Sequence, residues 1–250
     1  MENIDFGQVI KNYASSREDI PTAMMDSLMI RGISFEGKKV VDLGSGTGTL
    51  ARKIAMRKAN VVGVEPSSDM LRQAHQLNTT RNFTIPYTQA TAENTGLDDS
   101  TYDIVTVMRA WNLFDREKAL QEIKRLLKSK GILIVIESGF TPDSEVVNKT
   151  LTVLNRDKEG GKKSFSNQFI NGFPVEWFAE WQHNGFELRD FYKLKDSITL
   201  TKEEWMEVFM VTDMDGTQRN GLFDEIFSGI SDKESFEIPY ECNLCILTLA

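Results

Sequence analysis

The chain is short of the residues that carry special chemistry on their own. Two cysteines in 250 residues cannot build a disulfide scaffold. Two histidines, His75 and His183, fall on a helix and near a helix end, and neither reads as a general base. There is no excess of positive charge; the net charge of -8 argues against broad binding to nucleic acid or an anionic membrane, which leaves a basic footprint. There is no long apolar run either. Residues 132–136 are apolar but far too few to span a bilayer. The N-terminus lacks a basic segment followed by an apolar one, so no secretory leader is visible and a cytoplasmic protein is expected. No repeat or low-complexity tract appears. A hydrophobic fraction of 40% with 26% charged residues is ordinary for a soluble globular chain. A chain of this length suits one domain, or one domain with a cap, and a sizeable core.

Against that plain background one run stands out: Val40-Val41-Asp42-Leu43-Gly44-Ser45-Gly46-Thr47-Gly48. Two β-branched residues lead to an acid, then to three glycines spaced two apart, and residues 49–58 read as a helix. A strand ending in a glycine-rich turn before a helix lets a ligand approach the backbone closely. A dinucleotide fingerprint needs Gly-x-Gly-x-x-Gly. Here Thr49 stands at the last of those positions, and the third glycine arrives one residue early. Asp42 would repel a pyrophosphate and suit a cation. The turn therefore fits a positively charged, nucleotide-like ligand.

Strand and helix patterns alternate through the first half. Strands are expected at 38–43, 60–64, 83–88, 103–108 and 132–136. Pro86 moves the third of these toward an edge. Ser67 or Ser68 can cap a helix running to about residue 77, and Asp115 opens a helix with Leu120, Ile123 and Leu127 in one stripe. In the second half, helices are expected at 145–154, 176–183, 201–211 and 221–227, and a mobile loop at 157–172. Strands at 186–194 and 243–249 would close the sheet as an antiparallel edge pair. The predicted fold class is α/β: a doubly wound, Rossmann-like sheet of about seven strands, mostly parallel, with an antiparallel C-terminal edge strand and inserted cap helices. The expected layout is a single domain over 1–250. Residues 1–35 form an N-terminal helical segment and 36–138 the core. Residues 139–185 and 196–231 supply lid insertions, and 186–195 and 243–249 the closing strands.

Glu65 ends the second strand, about twenty residues beyond the glycine turn, the offset of a ribose-binding acid. Ligands in open α/β sheets lie outside the carboxyl ends of the strands, where this carboxylate could accept from both ribose hydroxyls. It could equally be an acid at a helix start, favoured by the helix dipole.

Together, the glycine run, Val61-Val62-Gly63-Val64-Glu65-Pro66-Ser67 and the stretch from Ala90 to Asp103 resemble class I S-adenosylmethionine-dependent methyltransferases. The segment from Arg109 to Asp115 is similar to the small-molecule branch, which includes trans-aconitate and ubiquinone-pathway enzymes. The resemblance implies S-adenosylmethionine as cofactor, S-adenosylhomocysteine as product, and a small-molecule acceptor methylated by in-line displacement. It implies that Gly44, Ser45 and Gly46 pass close to the cofactor and that Asp42 acts near its ammonium through water. Glu65 would bind the ribose, Pro66 and Met70 would wall the adenine, and Ala92 would offer its N–H to the ring. The family usually has an acid where Thr91 stands, so Thr91, Glu93 or a water is left to meet the adenine amine. Arg109 and Ala110 would lie beside the methionine chain. Trp111 falls where the crevice opens, where it could face the substrate or pack into the core. Tyr13 and Arg17 resemble a helix that folds over the cofactor, where Arg17 could pair with the methionine carboxylate.

No metal is expected. Cys242 and Cys245 lie three apart in a strand and point to opposite faces, and no second pair exists. The acids Asp213 and Asp215 echo a calcium loop, but its glycine position holds Gln218. Trp177 and Trp181 at helical spacing read as a packed face. No catalytic base is evident. No nucleic-acid or membrane partner is expected, and the chain is expected to be a monomer or homodimer. Two other functions share these residues: a non-catalytic S-adenosylmethionine-binding module and a nicotinamide-dependent oxidoreductase.

Overall fold

The computed structural model describes residues 22–141, 143–154, 168–209, 216–230 and 234–250. Helix α1 (Thr22–Ile30) precedes an alternation of β1 (Lys39–Leu43), α2 (Thr49–Ala55), β2 (Asn60–Val64), α3 (Ser68–Thr80), β3 (Tyr87–Thr88) and β4 (Tyr102–Met108). Then follow a 3-10 turn (Trp111–Leu113), α4 (Arg116–Leu126), β5 (Leu127–Phe140), α5 (Glu145–Leu154), β6 (Phe169–Ile170), β7 (Phe173–Pro174) and α6 (Val175–His183). The chain ends with β8 (Phe186–Thr201), α7 (Lys202–Phe209), α8 (Gly216–Phe227) and β9 (Ser235–Leu249).

Seven strands form one sheet in the order β3-β2-β1-β4-β5-β9-β8, mostly parallel and closed by an antiparallel edge. The C-terminal β9 lies between β5 and β8, so these two long strands complete the sheet together. The pairings β1·β2, β1·β4, β2·β3 and β4·β5 are all parallel. Strands β1 and β2 are buried from their second residue onward, as expected of central parallel strands covered on both faces.

The helix starts have local causes. The Ser67 side chain accepts from the Met70 N–H, and that of Asp115 from the Lys118 N–H, each satisfying a donor at a helix N-terminus. Helix α4 buries Ala119, Leu120, Ile123 and Leu126. Leu127, expected in the helical stripe, instead starts β5 and pairs with Tyr102. The register then slips so that Ile104 meets Ile132, and the chain turns at Lys130 in a left-handed conformation, φ 61°.

Other boundaries also moved. Strands β5, β8 and β9 are longer than expected, and the third strand shrinks to two residues at the sheet edge. The expected mobile loop at 157–172 lies largely outside the described residues, but its end is an ordered hairpin. Asn171 and Gly172, with φ of 44° and 82°, join β6 to β7, the conformations a tight two-residue turn demands.

By contacts the chain divides into two compact units. The larger one, whose described residues fall within 20–138, 166–194 and 242–250, has a core of strand residues such as Val41, Leu43, Val105 and Val107 packed with Trp111, Trp177 and Trp181. The smaller one, whose described residues fall within 139–165 and 195–241, gathers Val146, Val147, Trp205, Met206, Ile226 and Ile238. There the Trp205 indole N–H donates to the Thr150 hydroxyl at 2.9 Å.

Candidate cofactor site at the carboxyl ends of the strands

The sheet order reverses between β1 and β4, and α/β proteins bind ligands at such a switch point. The glycine turn leaves β1 there, anchored by the Ser45 N–H, which donates to the Val64 carbonyl at 3.0 Å. Its three glycines are needed for different reasons. A Cβ on Gly44 would stand 2.7 Å from that of Ala110, and one on Gly48 would collide with the Tyr87 phenol. Gly46, at φ 55°, faces open space, with nothing within 4 Å of a Cβ built on it. Here a ligand can reach the backbone.

Glu65 closes the turn from the side. Its Oε2 accepts from the Gly46 N–H at 3.0 Å and its Oε1 from the Ser67 N–H at 3.0 Å. One carboxylate thus links the turn after β1 to the start of α3, which is the helix-start reading of this acid. Glu65 is 9% exposed. A carboxylate has about four acceptor positions, so each oxygen keeps room for another donor. This arrangement fits two ribose hydroxyls.

Asp42 lies beneath the turn, 2% exposed, and its Oδ1 accepts from the Thr106 hydroxyl at 2.8 Å. The contact follows from register, since Asp42 pairs with Thr106 across β1 and β4. Burial pushes the carboxyl up to about 7, against the pull of the Thr106 hydroxyl and the Ala51 backbone N–H, with the Glu65 charge adding to the rise. A nearby cation would favour its ionised form.

The remaining expected residues divide. Pro66 is exposed and Met70 half-buried, beside Glu65 at the start of α3. Ala92 is buried and Thr91 exposed. Glu93 accepts from the Asp115 N–H at 2.9 Å, so its carboxylate is used to fasten the start of α4. Arg109 adopts φ 56° beyond β4 and its N–H donates to the Ile136 carbonyl at 2.8 Å. Ala110 packs against Gly44. Trp111 requires a correction. It is 0% exposed and packs against Phe114 and Trp181 with ring centroids 6.0 and 5.9 Å away, so it belongs to the core and is not a substrate-facing wall. The turn sends Leu113 outward in its place, 77% exposed. Tyr13 and Arg17 lie outside the described residues.

Three residues were missed in the sequence. Tyr87 lies under the turn, where Cβ atoms on Gly48 and Gly63 would both strike it. The glycine inside β2 was the available signal, since glycine within a strand marks a close approach. Burial pushes the Tyr87 phenol up to about 12. Arg52, buried in α2, donates to the Thr47 carbonyl at 2.7 Å and braces the turn from below. Glu137 follows the apolar run of β5, and burial pushes its carboxyl up to about 7 against the pull of Arg109. Among the described residues no group of three or more His, Cys, Asp or Glu could hold a metal ion, and no helix is long and apolar enough to cross a membrane.

Comparison with known proteins agrees with this geometry. Residues 41–135 match the methyltransferase domain family. The chain is 32% identical over 134 residues to an uncharacterized methyltransferase of Mycobacterium tuberculosis, a match covering 52% of this chain and 51% of that protein. The chain therefore spans about half the length of that relative. It is 30% identical over 182 residues to the ubiquinone/menaquinone biosynthesis C-methyltransferase of Haemophilus ducreyi, covering 65% of this chain and 70% of that protein. The crystal structure of a SAM-dependent methyltransferase from Aquifex aeolicus superposes over 98% of this chain and 99% of that one, with a TM-score of 0.57 at 14% identity. Glycine turn, in-register acid, strand order and relatives together place the chain in the class I S-adenosylmethionine-dependent methyltransferase family.

Proposed function

We propose that the protein transfers a methyl group from S-adenosylmethionine to a small-molecule acceptor. The observation that carries this reading is Glu65, bonded to the N–H groups of Gly46 and Ser67 beside a backbone that faces open space. Glu65 would take the ribose hydroxyls, and the turn at Gly44, Ser45 and Gly46 would lie along the cofactor. Asp42 would act near the ammonium, Pro66, Met70 and Ala92 would border the adenine, and Arg109 and Ala110 would line the methionine chain. When bound, S-adenosylmethionine supplies a methyl group already activated on a sulfonium. The protein's own work is then to align the acceptor and exclude water. The name of the Haemophilus relative, a quinone-biosynthesis C-methyltransferase, supports a small molecule as the acceptor.

Titration calorimetry with S-adenosylhomocysteine and with NADH tests the cofactor assignment. S-adenosylhomocysteine is expected to bind and NADH to give no heat. NADH binding without S-adenosylhomocysteine binding would replace this reading with an oxidoreductase.

A further inference from the structure

One charged group at the carboxyl end of the sheet has no role in the contacts above. Glu137 Oε1 is enclosed and has no hydrogen-bond partner among the described residues. An enclosed carboxylate oxygen with no donor is costly, and such a group in a native protein calls for a ligand or a reaction to explain it. Its place narrows the choice. The backbone of Arg109, just beyond β4, is tied to the carbonyl of Ile136, the residue before Glu137. Level with the carboxyl ends of β2, β1 and β4, the sheet therefore presents Glu65, the glycine turn, Arg109 and, within β5, Glu137 in that order. A cofactor with its ribose on Glu65 and its chain along the turn directs its reacting end toward β4 and β5. Among the described residues Arg109 is the charged group that acts on Glu137, and burial opposes it strongly enough to poise the carboxyl near neutrality.

Resting on the cofactor reading above, we propose that Glu137 is the proton acceptor of the reaction, set against the sulfonium end of the bound donor. The acceptor is then a small molecule whose attacking atom carries a proton: a hydroxyl, an acidic carbon or a thiol. As that atom bonds to the methyl carbon, its proton passes to the Glu137 carboxylate. The electron pair of the broken carbon–sulfur bond stays on sulfur. The sulfonium and carboxylate charges vanish together, and Glu137 later returns the proton to solvent.

The placement is tested by calorimetry at pH 8, using wild type, Glu137→Gln and Glu137→Asp with S-adenosylmethionine and S-adenosylhomocysteine. The two ligands share the ammonium, ribose and adenine, so their ratio isolates the sulfonium charge. Glu137→Gln is expected to lose about tenfold in S-adenosylmethionine affinity and to hold S-adenosylhomocysteine within twofold. Glu137→Asp should recover part of the preference. Equal weakening of both ligands, or an unchanged ratio, overturns the placement. The proton role is read with tritiated S-adenosylmethionine against phenols, carbon acids and thiols. For each acceptor the wild type methylates, Glu137→Gln should lower kcat about 100-fold at similar KM and abolish the acidic limb of the pH profile. Wild-type kcat in that variant overturns it. A wild type that takes neither ligand fails the cofactor reading itself, before any variant is compared.

Discussion

Two connections leave neighbouring strands at the same end of the sheet, and they are built in opposite ways. The one after β1 is glycine-rich and open at Gly46, with its N–H held by Glu65. The one after β4 turns through left-handed Arg109, seats Ala110 on Gly44 and drives Trp111 fully into the core. A binding surface needs both. In the proposed reading the open wall would admit the ligand, and the filled wall holds the open one in shape, because Gly44 has no side chain and Ala110 takes its place. The contrast also separates what substitutions should do: damage to the filled wall costs stability, and damage to the open wall costs binding.

Trp111→Ala should give the largest effect. Emptying a fully buried indole site that packs on Phe114 and Trp181 should cost about 3–5 kcal/mol of stability. Urea unfolding would measure it. If stability is unchanged while cofactor affinity falls, Trp111 itself faces the ligand and the contrast breaks. Gly46→Val should do the reverse. Its side chain would occupy the open approach, and a β-branched residue disfavours φ 55°. S-adenosylhomocysteine binding should drop at least about 100-fold, roughly 2.7 kcal/mol, with the strand core still folded by circular dichroism. Glu65→Ala removes the proposed acceptor of the ribose hydroxyls and two internal acceptor contacts, and should weaken S-adenosylhomocysteine by about 1–3 kcal/mol. Unchanged affinity in both variants would put the ligand elsewhere.

The open wall was legible in the sequence because its determinants are local. Glycines at alternate positions after a β-branched run specify the turn, and the length of one βα unit fixes where Glu65 falls. The filled wall was not, because the direction of Trp111 depends on a single left-handed residue, Arg109, that no composition rule requires to be so. Glu137 was hidden for a similar reason. An acid at a strand end reads as solvated, and its burial is decided by neighbours that are distant in sequence. The start of β9 was obscured by Pro239, although Ile238, Tyr240 and Cys242 are buried in strict alternation. Pro239 still serves the sheet through its carbonyl, which accepts from the Thr141 N–H. The Asn171-Gly172 turn is hidden in a stretch rich in Gly, Lys, Ser and Asn that reads as a loop.

The smallest expected effect concerns how the open wall handles charge. Asp42 is raised from its ordinary value to about 7, so the folded protein holds a proton there that the unfolded chain releases near pH 4. Stability from this group is therefore complete below the unfolded value and is lost as pH rises through about 7. Glu137 titrates in the same direction, so the comparison must be with Asp42→Asn, which leaves Glu137 in place. The difference in melting temperature between wild type and Asp42→Asn should shift against wild type from pH 4 to pH 7 and then level off. Ligand binding should run the other way. An ammonium near Asp42 engages only the ionised form, whose fraction rises about tenfold between pH 6 and pH 8 for a group poised near 7. S-adenosylhomocysteine affinity, followed by calorimetry, should rise by about that factor in wild type and change little in Asp42→Asn. A parallel rise in both proteins would assign the proton to another group and leave Asp42 only a structural contact with Thr106, making the floor of the open wall as closed as the wall after β4.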